Sequence, residues 1–172
     1  MRENFRDRAL VIRTYDFGEA DRIIVLLTRH HGLVRGVAKG VRRAKSRFGS
    51  RLQLFVNLDV QLYPGRNLYT ISQADTVDYF GARIIEDYDR YTAACAALES
   101  AERLAAADAP GDPYLYDACV DVLTNLQHGD PLVLLDAFLL QAMSHAGWAP
   151  SLFDCAQCQR PGPHHALSLI YI

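Results

Sequence analysis

Residues 23–38 read IIVLLTRHHGLVRGVA, which is two apolar runs separated by a short turn that contains Gly32. Both runs carry β-branched residues, and a short glycine-containing turn between two such runs is typical of a β-hairpin. Upstream, the segment ALVIRTY at residues 9–15 is also rich in strand-forming residues and is broken by Gly18. This part of the sequence therefore predicts three consecutive short strands.

Two further strands are predicted after a polar, basic connection that runs from Lys39 to Arg51. The segment Phe55–Tyr63 alternates between apolar and polar residues, as expected of a strand with one buried face. A Pro-Gly-Arg-Asn turn at residues 64–67 leads into a last strand at residues 68–73. Five short strands in about 75 residues, with one long connection, predict a small OB-type β-barrel, although an SH3-like barrel fits the strand count nearly as well.

Beyond residue 85 the pattern becomes helical, so the predicted fold class is α+β with two modules. Asp112-Pro113 and Asp130-Pro131 each combine a capping residue with a proline at the first helical position. The last helix, residues 132–146, is apolar nearly all round and is expected to be the central helix of a small bundle. Its predicted core residues are Leu132, Leu135, Leu139 and Met143. The predicted domains are a barrel at 1–80, a helical domain at 81–150 and the start of a zinc-knuckle-like segment at 151–172.

Charge is divided unevenly along the chain, although the net charge is only −2. Residues 1–73 hold 14 basic and 6 acidic residues, or 14 − 6 = +8, and residues 74–172 hold 4 and 14, or 4 − 14 = −10. A strongly basic half joined to an acidic half implies a polyanionic partner for the basic half. The charged N-terminus leaves no room for a signal peptide, and Asp136 splits the longest apolar run, so a cytoplasmic location with no membrane contact is expected.

The basic charge is concentrated between Arg22 and Leu58, a span with nine basic residues and no acidic one. Surfaces without a ligand usually mix the two signs, whereas binding to phosphates explains such a run. Phe48 lies inside it, and Tyr63 and Tyr69 follow. These rings could stack on unpaired bases, but Phe48 could equally be a core residue. A solvated loop without a ligand is the alternative to nucleic-acid binding.

Cys155 and Cys158 form a CxxC pair, whereas Cys95 and Cys119 stand alone. Two thiolates at this spacing can bind one Zn²⁺, but a closed structural site needs four ligands. His164 and His165 could complete the site, or a second pair of cysteines could lie downstream in a longer natural chain. Plain free thiols remain the alternative.

Catalytic interpretations of the sequence are weak. Gly32, Gly36 and Gly40 recur every four residues, but a phosphate-binding loop needs Gly-Lys-Ser/Thr, and here Lys39 precedes Gly40. These glycines are interpreted as bends in a barrel. Glu19 and Asp21 are followed by Arg22, which favours a structural ion pair. No catalytic residue is predicted, and the protein is expected not to be an enzyme.

Several blocks closely resemble the N-terminal barrel of the RecO family of recombination mediators. They are GEADRIIVLLT at 18–28, GLVRGVAKG at 32–40, Arg42-Arg43, RFGSR at 47–51, Phe55–Tyr63 and Gly65-Arg66. The order of barrel, helices and late CxxC also fits the family. The residues predicted to bind DNA, from the basic run and these blocks together, are Arg35, Lys39, Arg42, Arg43, Lys45, Arg47, Arg51 and Arg66.

The resemblance also implies a set of activities and partners. RecO proteins bind single- and double-stranded DNA, anneal complementary strands, pair with RecR, contact single-stranded DNA-binding protein and help to load RecA at gaps. Many members carry a second CxxC that is missing here, and the family chain normally continues with further helices beyond the position of Ile172, so an incomplete C-terminus is expected. An RNA-binding OB-type module in translation or RNA handling is the alternative function.

Overall fold

A computed structural model describes residues 3–105, 112–155 and 158–161. Its first part is a closed barrel with the strand order β1-β2-β3-β5-β4. The strands are β1 (Phe5–Phe17), β2 (Asp21–Thr28), β3 (Gly32–Ala38), β4 (Val56–Pro64) and β5 (Tyr69–Tyr79). The long strand β1 pairs with β4 through residues 5–10 and with β2 through residues 9–17, and a short parallel pairing of β3 with β5 closes the barrel. The predicted five-stranded OB-type barrel is confirmed.

The barrel interior is filled by aliphatic side chains that alternate along the strands, as the pattern of β4 predicts. Gly36 lies where a side chain would not fit, because a Cβ there would stand 2.8 Å from the side chain of Ile71. Gly32 and Gly40 both have a φ of 67°, a left-handed conformation that favours glycine at the two ends of β3. These glycines therefore shape the barrel and form no phosphate loop.

In the described residues, four helices follow the barrel: α1 (Gly81–Ile84), α2 (Tyr88–Leu104), α3 (Pro113–Leu126) and α4 (Pro131–His145). The predicted aspartate caps of α3 and α4 are present, since Asp112 accepts a hydrogen bond from the Tyr114 N–H and Asp130 accepts from the N–H groups of Leu132 and Val133. Each such cap contributes about 1 kcal/mol to helix stability. The helices thus begin where the Asp-Pro pairs predict.

The prediction that α4 is the central, buried helix is wrong. Leu132 is 70% exposed and Met143 is 38% exposed, while Leu135 and Leu139 are only half-buried. The buried residues of α4 are Phe138 and Ala142. The central position is taken by α2, whose inner face is mostly alanine (Ala93, Ala94, Ala97 and Ala101) and is buried. Because alanine allows helix axes to approach closely, α3 and α4 pack against α2, and one narrow side of α4 is enough for that contact.

The barrel and the helices share one hydrophobic cluster. Leu10, Val25 and Leu27 project from the outer face of the barrel and are buried together with Leu98 and Leu123 of the helices. A buried hydrogen bond adds to this contact, because the Tyr116 hydroxyl donates to the Asn57 side-chain carbonyl at 2.7 Å. The two parts are therefore packed firmly against each other.

The turn between β2 and β3 is fixed by a buried carboxylate. The side chain of Asp7 is only 3% exposed, and its oxygens lie 2.9 Å from His30 Nδ1 and 2.7 Å from His31 Nδ1. The backbone N–H of His30 also donates to it at 2.9 Å. Burial alone would raise the pKa of Asp7, but the hydrogen bonds from His31 and His30 outweigh it and hold the pKa below its ordinary value of 3.8. The two histidines, whose side chains are 60% and 44% exposed, thus have a structural role.

Replacing Asp7 with asparagine should lower the free energy of unfolding by about 1–3 kcal/mol at pH 7, because an ionised hydrogen-bond acceptor is lost. A carboxylate with a lowered folded-state pKa contributes stability that is present above its unfolded pKa and is lost as pH falls through the folded value. Urea unfolding from pH 7 to pH 3 should therefore show the wild type and Asp7→Asn converging at low pH. The exposed Asp136→Asn is the control. A constant difference across this range would contradict the role given to Asp7.

Candidate nucleic-acid interface

The connection between β3 and β4, residues 39–55, is called the basic loop below. Its start is tied to the turn between β1 and β2, because the Gly40 N–H donates to the Asp21 carboxylate at 2.7 Å and the Arg42 N–H donates to the Ala20 carbonyl at 3.0 Å. Its middle is anchored by Phe48 and Leu52, each 2% exposed and packed into the barrel interior. The basic loop therefore has a defined path across the barrel.

Phe48 cannot serve as a stacking platform for bases, because its ring is buried inside the barrel. Of the two roles that the sequence left open for it, the structure places it as a core residue. The Arg47 guanidinium lies over the same ring, 4.7 Å from its centroid. Tyr63 is 47% exposed and Tyr69 is half-buried, so these rings retain accessible surface.

The ion pair predicted for Arg22 has a different partner. Arg22 Nε lies 2.8 Å from the Asp16 carboxylate across the hairpin, while Asp21 is used to hold the basic loop. Hydrogen bonding to Arg22 keeps the pKa of Asp16 below its ordinary value. Asp16 also lies 3.5 Å from Arg42.

All eight cations predicted to bind DNA have exposed side chains. Arg35 lies on β3, and Arg66 lies on the turn between β4 and β5. This turn leads into Tyr69, which pairs with Gly36, the residue that follows Arg35. The other six lie on the basic loop. The structure thus brings the eight residues onto one strand and the two loops next to it.

Most cations elsewhere in the described residues are neutralised by a nearby carboxylate. The pairs are Arg6–Asp59, Arg13–Glu102, Arg22–Asp16, Arg29–Asp117, Arg90–Asp87 and Arg103–Glu99. Among the eight predicted cations, only Arg42 has an ion pair within the part of the chain that the structure describes. Arg47 and Arg51 instead donate to the main-chain carbonyls of Ile71 and Ala74, at 3.4 and 3.3 Å.

Within residues 3–105, 112–155 and 158–161, five predicted cations therefore have neither an ion pair nor a side-chain hydrogen bond to a main-chain carbonyl. They are Arg35, Lys39, Arg43, Lys45 and Arg66. Like charges gathered on one surface repel each other, and an anionic ligand relieves that repulsion. The geometry fits a polyanion that follows β3 and the basic loop.

Sequence reasoning missed two exposed aromatic residues beside this surface. Tyr15 is 44% exposed and Phe17 is 48% exposed, both at the end of β1. The sequence did place the two rings on one face, because residues two apart in a strand share a face. The structure adds that the helices cover only the earlier part of β1.

Main-chain hydrogen bonds join Cys155 to the described residues that follow Cys158. The Gln159 N–H donates to the Cys155 carbonyl at 2.8 Å, and the Cys155 N–H donates to the Arg160 carbonyl at 3.1 Å. Cys155 is half-buried and Cys158 is exposed. Among the described residues, no group of three or more histidines, cysteines or carboxylates is arranged to hold a metal. His164 and His165 lie outside those residues, and two thiolates alone do not fill a tetrahedral zinc site.

The other two cysteines are structural. Cys119 is fully buried between the helices, and burial raises the pKa of its thiol to about 12. Burial also raises the pKa of Cys95. A raised pKa disfavours the thiolate, which is the form that a nucleophile or a metal ligand needs. No helix in the described residues is long and apolar enough to cross a membrane.

Comparison with models of known protein families gives two matches along the chain. Residues 1–80 match the family described as "Recombination protein O N terminal". Residues 85–171 match the family described as "Recombination protein O C terminal". Together the two matches cover nearly all of the 172 residues, in the same order as the barrel and the helices. The chain therefore belongs to the RecO family, whose members mediate DNA recombination and repair.

Proposed function

We propose that this RecO-family chain binds single- and double-stranded DNA through the cations of β3 and the basic loop. The observation that carries the proposal is the contrast in charge pairing: most other described cations have a carboxylate partner, while Arg35, Lys39, Arg43, Lys45 and Arg66 have none. Each phosphate that a cation neutralises releases condensed counterions from the DNA, which favours binding.

The charge of the helices restricts where DNA can lie. Residues 74–172, which include the end of β5 as well as the helices, carry a net charge of −10 and would repel a polyanion, whereas residues 1–73 carry +8. The nucleic acid would therefore follow the barrel and stay away from the helical surface. The exposed arginines suit phosphates well, because a guanidinium can donate two parallel hydrogen bonds to one phosphate.

We further propose that the protein anneals complementary strands and helps to load RecA at gaps, together with RecR and single-stranded DNA-binding protein. Membership of the family supports these activities and partners. A non-enzymatic role is consistent with them, because annealing needs the repulsion between two phosphate backbones to be neutralised and needs no bond to be broken.

The alternative is RNA binding by the same barrel, and a competition experiment separates the two. Labelled single-stranded DNA bound to the protein should be displaced by unlabelled single-stranded DNA and by duplex DNA, and matched RNA should compete no better than DNA. Annealing should then be measured in the presence of single-stranded DNA-binding protein. Stronger competition by RNA, together with no acceleration of annealing, would favour the RNA-binding function.

We also propose that Cys155 and Cys158 supply two of four zinc ligands, with a downstream cysteine pair or His164 and His165 as the others. The CxxC spacing and the hydrogen bonds between Cys155 and the residues directly after Cys158 support this, although two thiolates alone do not fill a zinc site. Elemental analysis of purified protein should show weak or no zinc in the 172-residue chain and stoichiometric zinc in a chain with the second pair. Cys155→Ser should abolish zinc binding by the chain that has the second pair. A longer chain without metal would leave these residues as free thiols.

A further inference from the structure

We propose that Tyr15 and Phe17 form a stacking platform for unpaired bases, and that this platform makes the barrel bind single-stranded DNA by a contact that duplex DNA cannot make. This inference rests on the proposed DNA-binding function and adds to it the part of the surface that would contact the bases. The two rings are called the aromatic platform below.

The strand register places both rings on the outer surface of the barrel. Tyr15 is opposite Ile23, which is opposite Val37, and Phe17 is opposite Asp21. Residues directly opposite each other in antiparallel strands share a face. The neighbouring row, which contains Ile24 and Gly36, points into the barrel. The row of Tyr15 therefore points outward.

The aromatic platform lies at the end of this outer face that the helices do not cover. Further along the same face, Val25 and Leu27 are buried under the helices, and the Arg13–Glu102 ion pair of 2.9 Å lies at the border of that contact. Tyr15 and Phe17 lie beyond this border, and each keeps nearly half of its surface exposed. Two aromatic rings two residues apart on one strand are separated by about 7 Å, twice the rise between stacked bases, which lets each ring take its own base.

Two of the cations without an ion pair, Arg35 and Lys39, lie on the strand that follows the partner strand of the platform or directly after it. Arg35 is on the same outer face, in the row next to that of Tyr15 and two strands away. Lys39 follows directly after β3, and Gly40 is hydrogen-bonded to Asp21, the partner of Phe17. The platform thus lies beside the surface with unpaired positive charge, which fits a ligand with both aromatic bases and a phosphate backbone.

Unpaired bases are the occupant that these features favour. A strand held at its phosphates by Arg35 and Lys39 can turn its bases onto the rings, and stacking of a base on an aromatic side chain tolerates any sequence. In a duplex the bases are already stacked and paired, so the rings cannot reach their faces. An apolar protein segment would have no use for the adjoining cations.

The test compares the double variant Tyr15→Ala, Phe17→Ala with the wild type on a single strand and on a duplex of the same length. Its affinity for the single strand should fall at least about tenfold, while that for the duplex should change less than about twofold. The slope of affinity against salt should not change, because no phosphate contact is removed. Tyr15→Phe, which keeps the ring, should retain wild-type affinity.

The matched control replaces two other exposed aromatic residues, Tyr88 and Phe153, which are 80% and 88% exposed and lie outside the barrel. It should leave both affinities unchanged. A measurement on the wild type avoids dependence on variant folding: a single strand that carries 5-iododeoxyuridine should crosslink on irradiation to the peptide that contains Tyr15 and Phe17.

The outcomes separate this inference from the proposed function. Equal losses on both DNA forms, or no loss on either, together with crosslinking elsewhere, would overturn the aromatic platform. DNA binding as such would still stand if removal of the loop cations weakened both forms. A wild-type protein that binds neither form would reject both proposals.

Discussion

Replacing Lys39, Arg43 and Lys45 with alanine should weaken binding to duplex DNA about 100-fold at 0.15 M salt. Each phosphate contact on duplex DNA releases about 0.9 counterion, which at this salt concentration corresponds to a factor of about five in affinity. Three contacts therefore multiply to about two orders of magnitude. These three cations were chosen because they are exposed and have no ion pair among the described residues.

The substitutions should leave the fold intact. The basic loop is held by the hydrogen bonds of Gly40 and Arg42 and by the buried side chains of Phe48 and Leu52, and none of these is changed. The matched control replaces three exposed arginines outside the barrel: Arg83, Arg103 and Arg160. Both variants change the net charge from −2 to −5, since −2 − 3 = −5. Fluorescence anisotropy with a labelled duplex should show a large loss for the loop variant alone.

The second large effect concerns stability. Replacing Leu123 with alanine should lower the free energy of unfolding by about 2–5 kcal/mol, because its side chain is fully buried in the cluster shared by helices and barrel. The same substitution at Leu132, which is 70% exposed on α4, should cost less than about 1 kcal/mol. Equilibrium unfolding in urea measures both.

This pair of substitutions also tests the position of α4. If Leu132→Ala were as destabilising as Leu123→Ala, α4 would be the buried helix that the sequence first indicated. If both substitutions changed the free energy of unfolding only slightly, the barrel and the helices would not share a core. That result would contradict the burial of Leu10 and Val25 against the helices.

The barrel could be predicted from the sequence because its signals are local. Alternation in Phe55–Tyr63 and the glycine turn at Gly32 specify strands and their connections within a few residues. The closure of the barrel was harder to predict, because it depends on the pairing of β3 with β5, whose residues are far apart in the chain. The Asp-Pro pairs likewise marked the starts of α3 and α4 but could not specify how the helices pack.

The error on α4 has a clear physical origin. Apolar residues on all sides of a helix are usually read as burial, but burial depends on the neighbours that are available. Here the alanines of α2 form the central surface, and a sequence pattern gives alanine little weight because it contributes little apolar area. The side chain of Leu139 is consequently half-buried where a fully buried one was predicted.

The candidate site, like the fold, could be predicted from the sequence only in part. The density of positive charge from Arg22 to Leu58 indicated the candidate region, but the sequence could not separate cations with a carboxylate partner from those without one. Arg22 proved to be paired with Asp16, whereas Lys45 has no ion pair in the described residues. Phe48 could not be assigned to the core or to the surface until the path of the basic loop was known.

The salt dependence of duplex binding tests the central claim most directly. The logarithm of the association constant should fall linearly with the logarithm of salt concentration for the wild type and for the Arg83, Arg103, Arg160 control, with the same slope. For the Lys39, Arg43, Lys45 variant the slope should be smaller by about three, one unit for each lost phosphate contact. The same slope in all three proteins would show that DNA does not bind through the basic loop.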